Sequence, residues 1–250
     1  MKDSLGKRVK RNFGLETEFE KKKRVEENKK ANQKGIEYFE RIWSKPDVKK
    51  VHNITTNQFK TLLWKVGNEY FKNLNRSFDV DDKNKHFLDL IAKYFSGDPA
   101  FETETSGELR KGLMIFGPCG TGKSSVFDII RKICIDYNLM QYWFSNVSVH
   151  DVVTEFNKHG ESIVDKYSKG VVHFDDLGTE KMVQLWGVKE NLFTRLLQIR
   201  YNNFKLKGTK TYVTTNHSIK DLEKIYGKQV YDRLYEMFNF IELGGVSRRY

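Results

Sequence analysis

Residues 117–124 read Gly-Pro-Cys-Gly-Thr-Gly-Lys-Ser, which matches the pattern G-x-x-x-x-G-K-[ST] at every specified position. The apolar run Leu113–Phe116 comes directly before this stretch, and the segment Ser124–Tyr137, which has helical periodicity, follows it. A strand, a glycine-rich turn and a helix in this order are typical of a phosphate-binding loop. The stretch therefore predicts a nucleoside triphosphate site on an α/β fold.

Each residue type in this loop has a chemical reason. The three glycines let the backbone turn tightly, so that its N–H groups and the N-terminus of the following helix face phosphate oxygens. Lys123 reaches the β- and γ-phosphates, and the hydroxyl of Ser124 is a ligand for magnesium. ATP and Mg²⁺ are thus the expected cofactors. We expect the nucleotide to contact Gly117, Pro118, Cys119, Gly120, Thr121, Gly122, Lys123, Ser124 and Ser125.

Two later β-rich runs end in polar residues. Asp175 and Asp176 follow the run Val171–Phe174, and Asn216 ends the next run. At the carboxyl end of a parallel strand, one acid can hold the magnesium shell and another can orient or deprotonate the attacking water. We assign the first role to Asp175 and the second to Asp176, and we expect the amide of Asn216 to reach the γ-phosphate or its water. His173 interrupts its run and is interpreted as a core histidine.

From residue 81 onward, apolar runs alternate with segments of helical periodicity. This alternation predicts a doubly wound, parallel, five-stranded sheet with helices on both faces. The predicted strands are Leu113–Phe116, Gln141–Phe144, Val171–Phe174, Thr211–Thr214 and Phe240–Leu243. The chain is accordingly divided into a small helical N-terminal region, residues 1–80, and an α/β domain, residues 81–250.

The N-terminal region differs from the rest in charge and in apolar content. Residues 1–50 contain 16 Lys and Arg against 9 Asp and Glu, so they carry +7 of the total net charge of +11. Glu18–Lys34 has few apolar residues and predicts a solvated helix or disorder. Ile36, Phe39 and Trp43 share one helix face. These three residues and the face Phe59–Val66 are either a docking surface for a partner or a small helical core.

The composition excludes several classes of protein. Cys119 and Cys134 are the only cysteines, which excludes a disulfide scaffold and a zinc module and fits a reducing cytoplasm. No run of about 18 apolar residues occurs, so we expect no membrane span, and the basic N-terminus lacks the apolar stretch of a secretory signal. The net charge favours a polyanionic partner, most often nucleic acid, over ordinary surface solvation.

With these motifs the chain resembles the AAA+ ATPases, and in particular the DnaC-type helicase loaders and the related IstB-type transposition ATPases. The segment around 117–124 resembles their Walker A motif, F-D-D-L-G-T-E at Phe174–Glu180 their Walker B motif, and T-T-N at 214–216 their sensor I. D-R-L-Y-E-M at Asp232–Met237 and G-G-V-S-R-R at Gly244–Arg249 are similar to the last motifs of this group. The resemblance covers residues 85–250.

The resemblance implies roles for residues outside the phosphate loop. Arg233 matches the arginine finger that enters a neighbouring subunit's site; by itself it would be interpreted as an ion-pair residue on a helix surface. Arg249 matches a basic contact to the nucleotide. The segment Ser148–Ser168 matches an insertion that binds single-stranded DNA, or is an ordinary amphipathic helix pair. Asp176 departs from the family, since most AAA+ proteins carry Glu there, and the shorter side chain predicts weaker water activation.

The resemblance also implies an architecture and a function. The AAA+ module of this group lacks the helical lid domain, and an arginine finger implies an ATP-dependent homo-oligomer with an active site shared between subunits. The expected activity is ATP hydrolysis in a DNA replication protein that loads a replicative hexameric helicase onto single-stranded DNA. One alternative is a transposition helper that acts on target DNA with a transposase. The other is an ATP-gated filament on DNA with little turnover.

Overall fold

The computed structural model describes residues 16–43, 53–185 and 188–249, which belong to two compact units, residues 1–51 and 52–250. In the first unit, Glu18–Trp43 forms a single helix, α1. Phe19 and Val25 are exposed on it, as the solvated-helix interpretation predicts.

Three of the predicted docking residues belong to this first unit. The side chains of Ile36, Phe39 and Trp43 lie outside the described residues, so their proposed role stays a prediction.

Five parallel strands form the central sheet of the second unit. In chain order the strands are β1 (Gly112–Phe116), β2 (Ser145–Ser148), β3 (Val172–Asp175), β4 (Val183–Leu185), β5 (Val188–Glu190), β6 (Thr211–Thr215) and β7 (Phe238–Glu242). The sheet has the order β2-β3-β6-β1-β7 with every neighbouring pair parallel. β4 and β5 form a separate antiparallel pair, which the sequence patterns do not predict.

Helices cover both faces of this sheet. They are α2 (Thr56–Asn73), α3 (Lys85–Ser96), α4 (Ala100–Thr105), α5 (Lys123–Asp136), α6 (Val149–His159), α7 (Ser162–Ser168), α8 (Leu192–Lys207), α9 (Ile219–Tyr226) and α10 (Lys228–Met237). Along β1, Leu113 and Ile115 enter one core and Met114 enters the other, because successive strand side chains point to opposite faces. The first core contains residues of α2–α5, the second residues of α6–α10. The predicted doubly wound α/β fold is confirmed.

The predicted second strand, Gln141–Phe144, is wrong. Met140–Tyr142 forms a 3₁₀ helix, and the strand begins only at Ser145. β2 lies at the edge of the sheet, and all four of its residues are only partly buried. An edge strand with polar side chains lacks the apolar run by which a buried strand is identified.

Helix α2 belongs to the second unit and packs on its first core. Phe59, Leu63 and Val66 are buried there with residues of α3 and α5. Of the two alternatives, these three residues are core, and the docking-surface alternative is wrong for them. Gly67 permits the packing, since a Cβ at this position would lie 2.7 Å from the ring of Phe78. A functional boundary near residue 80 stays a prediction.

None of the helices in the described ranges combines the length and hydropathy that a membrane crossing requires.

Candidate nucleotide-binding and catalytic site

Three strands deliver the predicted site residues to one edge of the sheet. β6 lies between β1 and β3, and all three strands run in the same direction. Gly117 directly follows β1, Asp175 ends β3 and Asn216 directly follows β6. The carboxyl edge of a parallel sheet is where α/β proteins bind ligands, so residues that are far apart in the chain meet there.

Two glycines of the phosphate loop are required by close backbone contacts. Gly117 has φ +144°, and a Cβ on it would lie 2.3 Å from the carbonyl oxygen of Leu243. Gly120 has φ +81°, and its Cβ would lie 2.4 Å from the hydroxyl of Ser247. The loop therefore requires glycine partly because the C-terminal residues of the chain pack against it.

Lys123 is held inside the loop by three oxygen atoms. Its ammonium donates hydrogen bonds to the carbonyl oxygens of Gly117 and Pro118, at 2.8 and 2.7 Å, and to Oδ1 of Asn216 at 2.7 Å. The side chain is buried, and burial lowers the pKa of Lys123. Thr121, also buried, donates from Oγ1 to the carbonyl of Pro118 at 3.1 Å. The predicted phosphate cation thus lies at the carboxyl edge of the sheet, next to Asn216.

Ser124 and Asp175 form the candidate magnesium site. The Ser124 hydroxyl donates to Oδ1 of Asp175 at 2.7 Å, and the hydroxyl of Thr214 donates to the same oxygen. A hydroxyl and a carboxylate in contact fit Mg²⁺, which prefers oxygen ligands. Among the described residues, no group of three or more His, Cys, Asp and Glu side chains could hold a metal. Mg²⁺ usually binds one or two protein oxygens together with substrate phosphates and water.

Asp176 lies in an unusual backbone conformation beside Asn216. Its φ is +60°, in the left-handed region that non-glycine residues rarely adopt. Asn216 donates from Nδ2 to Oδ1 of Asp176 at 3.0 Å, while its own Oδ1 accepts from Lys123. The Asn216 amide therefore connects the phosphate cation to the acid that was predicted to orient water.

The turn after Asp176 is stabilised by hydroxyl groups that the sequence interpretation did not assign. Thr214 Oγ1 accepts from the backbone N–H of Asp176 at 3.3 Å. Thr179 Oγ1 donates to the carbonyl of Asp176 at 2.7 Å and lies 3.1 Å from Nε2 of His150. Thr215 Oγ1 donates to the carbonyl of Leu177 at 2.6 Å. The two threonines of T-T-N were the signal in the sequence, because they end β6 directly before Asn216.

A cavity of about 660 Å³ adjoins the phosphate loop. Cys119, Ser125 and Arg249 line it, as do Asp176 and Asn216. Its other lining comes from the segment between α2 and α3, from α5 and from the C-terminal residues. The volume lies within the range of small-molecule sites, and the structure therefore places Arg249 in the same cavity as the phosphate loop.

Arg233 lies elsewhere, on α10, and is not among the described residues that line this cavity. Its guanidinium lies over the ring of Tyr201 on α8, 4.8 Å from the centroid. The Tyr201 hydroxyl donates to the carboxylate of Glu236 at 3.1 Å. Arg233 is thus partly buried against an aromatic ring between α8 and α10.

A chain of polar side chains runs behind the loop. The Tyr70 hydroxyl donates to Oδ2 of Asp128 at 3.0 Å, and the Asn146 amide donates to Oδ1 of Asp128 at 2.7 Å. Oδ1 of Asn146 lies 2.7 Å from Nδ1 of His173. Burial lowers the pKa of His173 to about 3, so the ring is neutral at pH 7. The prediction of a core histidine is confirmed.

The segment Ser148–Ser168 forms α6 and α7, but its aromatic residues are not available for stacking on bases. Phe156 and Tyr167 are buried in the second core. Lys166 pairs with Glu155 at 2.7 Å, and Lys158 is exposed. The segment is therefore an amphipathic helix pair, and only its lysines remain on the surface to contact single-stranded DNA.

The sheet order, the phosphate loop after β1 and the acids at the end of β3 define an α/β fold with a P-loop. No protein-family model matches the chain, and no curated protein matches it.

Solved structures similar to the chain include one of the DnaC helicase loader, at 19% identity over 66% of this chain and 93% of that chain, with a TM-score of 0.48. AMPPCP-bound DnaA from Aquifex aeolicus has 14% identity over 66% of this chain and 48% of that chain, with a TM-score of 0.48. A structure of DnaI has 20% identity over 66% and 88%, with a TM-score of 0.46. A DnaC-type loader, named above from the motifs, is thus among the solved structures that the chain is similar to.

Proposed function

We propose that the chain is an oligomeric ATPase that loads a replicative hexameric helicase onto single-stranded DNA. The ATPase assignment is carried by one observation. Lys123, the Ser124–Asp175 pair and the Asp176–Asn216 pair converge at one edge of the sheet. Phosphoryl transfer needs these groups: a cation for the phosphates, oxygens that hold magnesium, and a residue that positions the nucleophile.

Hydrolysis assigns a task to each side chain. The water oxygen bonds to the γ-phosphorus while the bond from that phosphorus to the β–γ bridging oxygen breaks, which yields ADP and phosphate. Asp176 accepts a hydrogen bond from the water and takes its proton, and Asn216 holds the carboxylate in place. Lys123 stabilises negative charge on the phosphate oxygens. Ser124 and Asp175 would hold magnesium, which would supply further charge neutralisation.

The partner assignment is supported by the sequence motifs. The segments Phe174–Glu180, Asp232–Met237 and Gly244–Arg249 resemble those of DnaC-type loaders, and the net charge of +11 suits a polyanionic partner. Arg233, on α10, would complete the site of a neighbouring copy. In family terms, residues 1–80 would bind the helicase ring.

A reconstitution experiment tests helicase loading directly. A replicative helicase from the native host is mixed with a closed circle of single-stranded DNA that carries an annealed oligonucleotide. A ring cannot thread onto a circle without being opened, so we expect oligonucleotide release to require this chain and ATP. Lys123→Ala serves as the matched variant that should not support release.

Affinity capture from the native host separates the proposal from its alternative. Recovery of the replicative helicase with the tagged chain, in amounts that depend on ATP, supports the loader. Recovery of a transposase instead, with no unwinding of the circular substrate, would assign the chain to transposition.

The filament alternative is favoured by Asp176, which is one methylene shorter than the usual glutamate. Steady-state ATPase assays with and without single-stranded DNA decide this point. Turnover that stays negligible with DNA present, together with ATP-dependent filaments, would support the filament and contradict the loader.

A further inference from the structure

One C-terminal residue, Arg248, joins two walls of the nucleotide cavity. Its backbone N–H donates to the carbonyl of Gly120 in the phosphate loop at 2.9 Å. Its guanidinium donates from Nη2 to both carboxylate oxygens of Asp81, at 2.8 and 2.9 Å. Gly120 and Asp81 both line the cavity, so Arg248 spans from the loop to the segment between α2 and α3. We call these contacts the clasp.

Two longer hydrogen bonds also join the C-terminal residues to the segment between α2 and α3. Nη1 of Arg248 lies 3.4 Å from the carbonyl oxygen of Asp79. Nη2 of Arg76 lies 3.4 Å from the carbonyl oxygen of Arg249. Together with the two hydrogen bonds from Arg248 to Asp81, these contacts connect the C-terminal residues to residues 76–81 by four hydrogen bonds that do not involve the phosphate loop.

Asp81 also organises its own segment. Its Oδ1 accepts hydrogen bonds from the backbone N–H groups of Lys83 at 2.9 Å and Asn84 at 3.2 Å. These bonds form the turn that leads into α3. The hydrogen bond from Arg248 lowers the pKa of the Asp81 carboxyl, so the group is ionised at neutral pH. The turn needs only the oxygen, whereas the clasp needs the negative charge, and the two roles can be separated by mutation.

The lining of the cavity indicates where a nucleoside would lie. The phosphate loop binds phosphates through its backbone, which leaves the ribose and base to the rest of the cavity. Phe71, Phe78, Leu88 and Ile129 supply apolar lining there. A base in this space would lie between the two walls that Arg248 connects.

We infer that the clasp retains the nucleoside part of a bound nucleotide and sets the rate at which nucleotide is released. Asp81 and Arg248 are positioning residues in this role, because they act on the walls of the cavity. The inference rests on the proposed nucleotide binding. Arg248 is distinct from Arg249, which was assigned to the nucleotide from the motif, and Asp81 lies outside every motif of the sequence.

Stopped-flow release of a fluorescent ATP analogue, chased with excess ATP, tests the inference. Asp81→Asn keeps an oxygen for the turn and removes the charge. We expect release to become about three- to ten-fold faster, the range for a half-exposed pair with two hydrogen bonds. Arg248→Gln should have a similar effect. The double variant should be no faster than either single variant, since one interaction is lost only once.

Salt and a neighbouring carboxylate provide the controls. Raising the ionic strength should speed release more in the wild type than in the double variant, because screening acts on the Asp81–Arg248 pair in addition to the contacts of the phosphates. Asp82→Asn removes a carboxylate one residue along the chain, in a separate groove lined by Trp64 and Val80. Its release rate should equal that of the wild type.

The outcomes separate this inference from the proposed function. Wild-type release rates in Asp81→Asn and Arg248→Gln, or additive effects in the double variant, would overturn the clasp while leaving nucleotide binding in place. Failure of the wild type to bind the analogue would overturn the proposed function itself. Arg248→Lys replaces Asp81→Asn in the experiment if the latter proves unstable. It keeps the positive charge but loses the planar fork of the guanidinium, so we expect a release rate between those of the wild type and Arg248→Gln.

Discussion

Lys123 is the single cationic side chain within residues 117–124, and its ammonium is already held among loop oxygens. We predict that Lys123→Ala has no measurable affinity for ATP, because the phosphates lose the cation that their charge requires. Isothermal titration calorimetry measures this. Lys132→Ala, which changes a lysine near the end of the same helix that pairs with Asp136, is the control and should bind normally. Unchanged affinity in a folded Lys123→Ala protein would contradict the assignment.

Asp175 and Asp176 are adjacent in sequence but have different partners. Asp175 contacts Ser124 and Thr214, whereas Asp176 contacts Asn216. We predict that Asp175→Ala weakens magnesium-dependent ATP binding. Asp176→Asn should bind ATP normally and hydrolyse it at least about 10²-fold more slowly, as expected for loss of a general base. Equilibrium binding and single-turnover hydrolysis separate the two effects. A wild-type hydrolysis rate in Asp176→Asn would remove this residue from the reaction.

Arg200 is a fully buried cation held by neutral acceptors. It donates to the hydroxyl of Thr211 and to the carbonyl oxygens of Tyr167, Gly170 and Lys210, at 2.6–2.9 Å. We predict that Arg200→Leu lowers the free energy of unfolding by about 3–5 kcal/mol, because several buried acceptors lose their donor. Urea denaturation measures this.

A second arginine serves as the control for that measurement. Arg110 is exposed, and Arg110→Leu should change the free energy of unfolding by less than about 0.5 kcal/mol. Equal destabilisation by the two variants would mean that the buried hydrogen bonds of Arg200 contribute little.

At the level of elements, α6 and α7 show how burial changes the interpretation of a sequence pattern. Their aromatic residues occupy the second core, so single-stranded DNA can be bound there only through charge and polar groups. We predict that affinity falls steeply with salt, each neutralised phosphate contributing a slope of about −0.7. The measurement is fluorescence anisotropy with a labelled oligonucleotide at several salt concentrations, in the presence of ATP.

A single lysine substitution tests whether the DNA phosphates bind at α6. Lys158→Gln should reduce the salt slope by about 0.7, since one phosphate contact is lost. Lys132→Gln, on a helix of the opposite sheet face, should leave the slope unchanged. A flat salt dependence in the wild type would contradict DNA binding by this surface.

At the scale of the whole molecule, Arg233 determines whether one chain is enough for catalysis. We predict that Arg233→Ala binds ATP like the wild type but hydrolyses it about 10³–10⁵-fold more slowly, because an arginine finger contributes a factor of this size to the rate. Mixing Arg233→Ala with Lys123→Ala should restore part of the activity. In such a mixture one subunit supplies an intact phosphate loop and its neighbour supplies an intact arginine.

Two observations would contradict a shared site. One is hydrolysis that rises linearly with protein concentration, because an assembling enzyme gains specific activity as it associates. The other is a mixture that remains inactive. Arg233 would then be a surface residue held by the Tyr201 ring, and the site would be complete within one chain.

Much of the fold and part of the site could be predicted from local patterns. Buried parallel strands are short apolar runs in the sequence, and four of the five sheet strands overlap the apolar or β-rich runs from which they were predicted. β2 could not be predicted in this way, because it is an edge strand with mostly polar side chains. Asp175 and Asn216 could be assigned because Asp175 ends one strand and Asn216 directly follows another, and residues at strand ends meet at one sheet edge. The link from Lys123 through Asn216 to Asp176 depends on distances between strands, which no spacing in the chain encodes.

The sequence by itself determined the phosphate loop, four of the five parallel strands and the acids at the end of β3, because each of these is a short segment of contiguous residues. Only the tertiary structure decided that Phe59, Leu63 and Val66 are core rather than docking surface, since burial depends on which helices pack together. It alone brought Asp81 to Arg248, which are separated by 167 residues. Contacts over such separations are set by how the chain packs around the sheet, and a one-dimensional pattern contains no information about that.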